Sequence, residues 1–391
     1  MASMERRVRN GKTTWRVVWR DPQGKKKSKT FPNEGTPKNP GAKQFKAEIE
    51  QALNTGNYYD SSRGKITVGE WAQVWLESKG DLKASSKERY AGIIRTHIDP
   101  RWGKTPLSAV KHAEVQQWAT KLDRAPATIT KVHRALSLML DLAVADGRLV
   151  KNPAHRIKLQ RPDVGDLRAL DYAQLERLAE DSGEDWQLIV RFLGYTGLRF
   201  GEMAALRVSR LDLDRRRVHV VESVTPVNGK GLIWGMPKTY ERRRVPIPAF
   251  LIDELRAQIR GLEPNDLVFR GPRGGVVRTR ILTRAGFHAA AIGMGLCEWV
   301  PDPTPKNPGR KKAIKVFHPH ELRHTAASMA IASGADVKVV QLMLGHKDAS
   351  VTLNQYGHLF HDNLDVVTDA MTAARKKALG ESDDSSDEDE D

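Results

Sequence analysis

One cysteine in 391 residues, Cys297, has nothing to pair with inside the chain. That excludes an intrachain disulfide framework and argues against a cysteine-built zinc site. Cys297 reads as a small apolar residue before it reads as a reactive thiol. Long apolar runs are missing too. No stretch of 18 apolar residues occurs, and the basic N-terminus has no apolar segment behind it. The chain is therefore expected to be neither secreted nor membrane-spanning, and to work in the cytoplasm. Aromatic residues make up only 6% and no internal repeat is visible, which excludes a solenoid array.

Positive charge is plentiful. Lys and Arg number 64 against 48 acids, a formal charge of +16. Residues 381–391 (ESDDSSDEDED) hold 8 acids and no cation, so the remainder carries about +24. Such an excess points to a polyanionic partner, DNA or RNA. A basic protein with no such partner is the plainer alternative. The length suits two or three domains.

Residues 1–53 read as a separate unit. Trp15, Val17 and Trp19 alternate with Arg16, Val18 and Arg20, the period of a half-buried strand. Asp21-Pro22-Gln23-Gly24 signals a turn, and Lys25-Lys26-Lys27-Ser28-Lys29-Thr30-Phe31 supplies the return strand. A helix is expected over 42–53. Residues 1–46 carry 13 Lys or Arg against 3 acids. Arg16, Arg20, Lys25, Lys26 and Lys27 are thus candidates for a sheet face set into a DNA groove. A solvated hairpin is the alternative. Met1-Ala2-Ser3 is either native or a cloning remnant.

Residues 54–65 read as a linker and 66–155 as an all-helical block. Thr67 with Glu70 makes a helix cap, and Trp71, Val74 and Trp75 follow at helical spacing. Further helices are expected from Ser85 or Ser86, over 114–122 and over 127–145. Tyr90, Ile93, Ile94, Leu136, Met139 and Leu140 fall on their apolar faces. Lys87, Arg89, Lys131 and Arg134 on the polar faces fit a clamp on phosphates as a group, although each alone is a solvated charge. Beyond Asn152-Pro153 and Arg161-Pro162, residues 165–375 mix helices with short strands. A helix is expected over 186–193, strands over 217–221 and 244–247, a helix over 248–259, and an exposed basic loop over 297–317. Residues 376–391 are expected to be a disordered acidic tail. The class is multidomain α+β: a small basic sheet-plus-helix module, an all-α domain, and a mixed, mostly-α domain.

The chemistry sits in the last of these. Thr196-Gly197-Leu198-Arg199-Phe200-Gly201-Glu202 places an Arg where the chain turns between helices, with Glu202 close enough to hold its planar fork. Pro237-Lys238-Thr239-Tyr240-Glu241-Arg242-Arg243-Arg244 puts Lys238 at a hairpin tip ahead of a basic strand. Arg242 is a further DNA-binding candidate. In His320-Glu321-Leu322-Arg323-His324, His320 and Arg323 are one helical turn apart and face the same way. His324 falls elsewhere on that turn and reads as structural. Gly334 ends this helix, and another is expected over 336–344. His346 follows Gly345, and Ser350 caps a helix bearing Tyr356, ten residues past His346. Guanidiniums and imidazoles can hold phosphate oxygens and carry protons while a phenol attacks phosphorus. No metal or cofactor is required.

In this order and context, Arg199, Lys238, His320, Arg323, His346 and Tyr356 resemble the signature of the tyrosine recombinases, the phage integrase family. All six positions match, and the likeness extends over most of the chain. The spacing from His346 to Tyr356 is similar to that of actinobacterial-phage members. The resemblance implies a site-specific recombinase that cuts and rejoins DNA through a 3′-phosphotyrosyl link, integrating and excising a phage or mobile element in a bacterial host. It implies Tyr356 as nucleophile and Lys238 as general acid for the departing 5′ oxygen. Residues 1–53 would be an arm-type DNA-binding domain, 66–155 a core-binding domain and 165–375 the catalytic domain, the two larger ones clamped on duplex DNA. A homotetramer on attachment sites is implied, with a host DNA-bending protein and a directionality factor as candidate accessories. A chromosome-dimer resolvase or type IB topoisomerase-like enzyme shares this chemistry and stays open. A non-catalytic architectural protein also stays open, but leaves the ordered set unexplained. Tyr240 is the rival nucleophile. Tyr58 and Tyr59 fall in the linker, and Tyr90 and Tyr195 read as core.

Overall fold

The computed structural model describes residues 2–22, 24–37, 39–55, 63–80, 82–161, 168–227, 229–237, 242–301 and 311–379, the side chains of 361–366 excepted. The chain divides into two compact units, 1–164 and 165–391.

The first unit opens with an antiparallel sheet of β1 (Ser3–Arg9), β2 (Lys12–Arg20) and β3 (Lys26–Phe31), in that order. β1 enlarges the expected hairpin. Residues 3–9 are part of the fold, and the buried Ala2 donates its N–H to Glu50 Oε1. Strand alternation then sorts the side chains. Met4, Trp15, Val17, Trp19 and Phe31 meet Phe45, Ile49 and Leu53 of α1 (Ala42–Asn54) in a small core. The register puts Arg7, Arg9, Lys12, Arg16, Arg20 and Lys26 on the opposite face. Lys27 pairs across from Trp19 and so falls on the α1 side, away from that face. Lys29 is also on the α1 side, its ammonium 4.6 Å from the Phe45 ring centre.

The rest of this unit is helical: α2 (Val68–Glu77), α3 (Ala84–Ile93), α4 (Asp99–Trp102), α5 (His112–Lys121) and α6 (Pro126–Ala145). Thr67 and Glu70 form a reciprocal cap, each accepting from the other's backbone N–H at 3.2 and 2.9 Å. Trp71, Trp75, Trp102, Ile94, Leu136, Met139 and Leu140 make the core. Trp71 Nε1 satisfies itself on the Met139 carbonyl at 2.8 Å. α3 begins at Ala84, ahead of both expected serines, and Pro126 opens α6, where a missing N–H costs nothing. Both ends of the expected linker are folded. α1 reaches Asn54, and Arg63–Lys65 form a 3-10 turn tied by an Arg63–Asp146 salt bridge of 3.0 Å. Residues 56–62, with Tyr58 and Tyr59, lie outside the described residues.

The second unit is mixed. α7 (Tyr172–Asp181), α8 (Glu184–Thr196) and α9 (Phe200–Ala204) precede β4 (Leu211–Asp212), β5 (Arg217–Val220), β6 (Ser223–Val227), β7 (Gly231–Gly235) and β8 (Arg243–Pro246). β4, β5 and β8 form one antiparallel sheet, β6 and β7 another. The segment between β7 and β8 thus joins two sheets instead of closing a hairpin between its flanking strands. Lys238 and Tyr240 lie outside the described residues. Next come α10 (Ile252–Gln258), α11 (Thr279–Leu282) and α12 (His288–Gly293). The expected loop 297–317 contains a paired hairpin, β9 (Glu298–Pro301) and β10 (Lys311–Ile314), with 302–310 outside the described residues. The chain ends with α13 (Leu322–Ala332), α14 (Val337–Leu344), α15 (Ala349–Tyr356) and α16 (Leu364–Leu379). α15 is capped by Asp348, which accepts from Ser350 N–H at 2.8 Å, so Ser350 is not the cap. α16 runs through 376–379, part of the stretch expected to be disordered; 380–391 lie outside the described residues. Phe192, Phe269, Phe287, Phe317, Val218, Val245 and Leu322 anchor the core.

Candidate active site

α8 ends at Gly197, whose φ of +65° favours glycine. A Cβ there would lie 2.9 Å from Leu344 Cδ2 and 3.2 Å from Ala326 Cβ. The missing side chain lets the end of α8 lie against α13 and α14. Two residues on, Arg199 is the N-cap of α9. Its N–H donates to Glu202 Oε2 at 3.0 Å and its Nη1 to Glu202 Oε1 at 2.9 Å. The carboxylate expected to hold Arg199 therefore does so. It also holds a second arginine. Arg243 on β8 donates to both Glu202 oxygens, at 3.1 and 2.6 Å. Burial by itself would push the Glu202 carboxyl up. The hydrogen bond and charge of Arg243, then Arg199, outweigh it and hold the group below the usual carboxylate range. At 3% exposure, Glu202 is a buried anion between two cations.

Arg323, on the first turn of α13, is 4% exposed. Its Nη1 donates to the Gly197 carbonyl at 2.6 Å and its Nη2 to that of Leu344. Burial, then repulsion from Arg199, lowers this guanidinium to about 9, so it stays charged at neutral pH. The end of α14 gathers all three arginines. Arg243 Nε donates to Met343 O at 3.0 Å, Arg323 to Leu344 O, and Arg199 Nη2 to Gly345 O at 3.4 Å. Helix C-termini leave such carbonyls unpaired and carry partial negative charge. Here three guanidiniums answer three consecutive carbonyls.

His346 follows directly, half-buried, with Nδ1 2.9 Å from Thr352 Oγ1. Burial first, then Arg323, Arg199 and Arg243, lower it to about 4, so the ring is neutral. Tyr356 ends α15 at 1% exposure, packed against Ala327, Ile331, Val340 and Leu344. Burial raises its phenol to about 12, with Arg323 pulling the other way. The nearest ring nitrogen is one read from the sequence as structural. His324 Nδ1 lies 2.6 Å from Tyr356 Oη. His320, by contrast, sits exposed in the turn before α13, so it and Arg323 do not share a helix face. Its ring meets His324 edge-on, with centres 5.8 Å apart. Glu321 fixes that turn by accepting both Nε and Nη2 of Arg168, at 2.8 and 3.0 Å, and His318 N–H at 2.6 Å.

Arg199, Arg323, His346 and Tyr356 therefore come together, with His320 at the edge. Arg243, absent from the expected set, and His324, read as structural, also touch these residues. Arg243 carried a signal, since it shares the inward face of its strand with Val245 and Ile247, while Arg242 and Arg244 are exposed. The other DNA-binding candidates are dispersed. Lys25 and Arg242 are exposed beside strands. Arg16 donates to Ser28 Oγ and Arg20 to Gly24 O, each at 2.8 Å. Lys87 is half-buried, and Arg89, Lys131 and Arg134 are exposed on α3 and α6. Among the described residues, no cluster of three His, Cys, Asp or Glu could hold a metal, and no helix is long and apolar enough to cross a membrane.

The profile of the phage integrase family matches residues 167–362, half of the chain, and that of the phage integrase N-terminal SAM-like domain matches 67–122. The chain belongs to the phage integrase family. It is a tyrosine-type site-specific recombinase, an enzyme that cleaves and rejoins DNA. It is 26% identical over 289 residues to an integrase of Mycobacterium phage FRAT1, covering 72% of this chain and 80% of that protein. A XerC-like tyrosine recombinase of Caldanaerobacter subterraneus subsp. tengcongensis is 25% identical over 385 residues, 92% of this chain and 96% of its own. Among solved structures, the Tn1549 transposon integrase in complex with transposon right end DNA gives a TM-score of 0.65 over 78% of this chain and 100% of that one, at 21% identity. A lambda integrase dimer bound to a COC′ core site gives 0.57 over 92% of this chain and 95% of that one, at 17%. These two likenesses concern the fold.

Proposed function

We infer that the chain integrates and excises a phage or mobile element, with Tyr356 as the nucleophile. The reading rests on one observation: Arg199 and Arg323 meet at the end of α14, beside His346, in the pocket that holds Tyr356. Cleavage of a phosphodiester gathers negative charge on the non-bridging oxygens. Guanidiniums fixed beforehand by Glu202 and backbone carbonyls stabilise that charge without reorganising. Neutral His346 adds a donor, and His320 stands at the edge of the site beside His324. Tyr356 attacks phosphorus, the 3′ side becomes a phosphotyrosine, and Lys238 protonates the departing 5′ oxygen. The link conserves the bond energy, so rejoining consumes no cofactor.

The substrate is duplex DNA bearing attachment sites, and four copies act together because four strands are cut. Residues 1–53 act as an arm-type domain through the open face of the sheet, 66–155 bind the core site, and 165–375 catalyse. A host DNA-bending protein and a directionality factor are the proposed accessories. Chromosome-dimer resolution remains the second reading, since the XerC-like relative spans 92% of this chain, a stretch that reaches beyond the two larger domains.

A nicked crossover-site duplex whose short leaving strand diffuses away tests the assignment. Wild type should accumulate a 3′-linked covalent complex. Tyr356→Phe should bind the duplex and form none. An adduct that persists in Tyr356→Phe, or that maps to Tyr240, overturns it. Deleting residues 1–53 should abolish integration while sparing core-site cleavage; normal integration by the truncated protein on intact attachment sites would make the arm assignment wrong.

A further inference from the structure

The phenol of Tyr356 must lose its proton as it attacks, and the chemistry above leaves the receiver of that proton unassigned. We propose that His324 is a catalytic residue, its Nδ1 taking the proton of Tyr356 Oη as the phosphodiester is attacked and returning it when the strand is rejoined. The inference rests on the reading of Tyr356 as the nucleophile.

The geometry points to this ring. His324 Nδ1 is 2.6 Å from Oη, a direct hydrogen bond to the attacking atom. His346 Nδ1 is engaged with Thr352, and the His320 ring meets His324 edge-on, with centres 5.8 Å apart. Both partners are held by packing. Tyr356 is enclosed at 1% exposure, and His324 rises from the first turn of α13, beside Arg323. The titratable and charged groups facing His324 include His320, Arg323, His346 and Tyr356. Burial, then His320 and Arg323, keep the imidazole uncharged at neutral pH. With its hydrogen on Nε2, Nδ1 is an acceptor and the phenol donates.

The step balances. The Oη–H bond breaks and its proton goes to Nδ1. The Oη–P bond forms, the P–O5′ bond breaks, and the 5′ oxygen keeps the electron pair and is protonated by Lys238. In rejoining, the incoming 5′ hydroxyl attacks phosphorus, and Oη leaves with its electron pair and recovers the proton from Nδ1. A base this weak facing a phenol raised to about 12 makes transfer ahead of attack unfavourable, so proton movement and attack are concerted.

His324→Asn tests the proposal, because Asn keeps a hydrogen-bonding group near the Nδ1 position but cannot carry a proton. Single-turnover adduct formation on the nicked duplex should slow by about 100-fold or more, the scale of lost general-base catalysis, with DNA affinity unchanged. Replacing Tyr356 by a ring-fluorinated tyrosine, a more acidic phenol, should recover a larger share of the rate in His324→Asn than in wild type. Two results overturn the proposal: His324→Asn within about threefold of wild type, or no selective gain from the acidified phenol, which would leave His324 as a prop for the ring. An adduct in Tyr356→Phe is a different failure, that of the nucleophile assignment.

Discussion

Two groups of cations in this protein are built in opposite ways. Arg7, Arg9, Lys12, Arg16, Arg20 and Lys26 share the open face of the N-terminal sheet, with Glu5 as the acid among them, held by Arg7 at 3.0 Å. Arg199, Arg243 and Arg323 are withdrawn behind a buried carboxylate and three carbonyls. The first arrangement suits attraction that is additive, screened by salt and tolerant of position. The second suits charge that must be in place before the transition state forms. Counting cations does not distinguish the two. Their partners do.

The largest expected effect breaks the comparison at its buried end. Arg323→Ala should slow single-turnover cleavage by about 100- to 1,000-fold, as for loss of a fixed oxyanion donor, while DNA affinity falls far less. Equal losses in rate and affinity would put Arg323 in the same class as the sheet cations. Lys should not replace it, because a point charge cannot meet two carbonyls held in a fork. An intermediate effect is expected at the exposed end. In the full-length protein, Arg20→Gln with Lys26→Gln should flatten the salt dependence of arm-site binding by about two log–log units, near one per phosphate contact, and leave core-site cleavage alone. An unchanged slope would take the open face out of DNA contact.

Acid separates the two regions most gently. His324 and His346 are each lowered to about 4 from an ordinary value of 6.5. Between those values the unfolded chain binds protons that the folded one refuses, so their contribution to stability is complete above pH 6.5 and is lost as pH falls toward 4. Melting should drop by a few degrees from pH 7 to pH 5, and by less in His346→Gln. A flat melting temperature over that range would mean the imidazoles are not held neutral by burial.

What the sequence made legible follows from the range of each signal. Caps and periodicity are local, so α1, the Thr67–Glu70 box, α6 and α14 could be placed within a residue or two. The Arg199–Glu202 pair was equally local. β1 was hidden because SMERRVR carries charge on both faces of an edge strand and shows no alternation of polarity. The contact of His324 with Tyr356 was out of reach for another reason. Helical spacing was applied to His320, which sits in the turn before α13, and the contact of His324 with Tyr356 spans 32 residues that no spacing rule encodes. Arg243 disappeared in a run of three arginines, although strand alternation singles out the middle one.

The end of α14 has a further consequence. Consecutive carbonyls on a helix are separated by a fixed rise and rotation, so the arrangement of the three guanidiniums is inherited from the pitch of one short helix. That helix works as a jig. Its last turn cannot be tuned for one arginine without moving the other two, and an insertion or slip between 337 and 345 would misalign all three at once. A site built this way is either assembled or absent, which is a useful property in an enzyme whose half-finished reaction is a broken DNA strand.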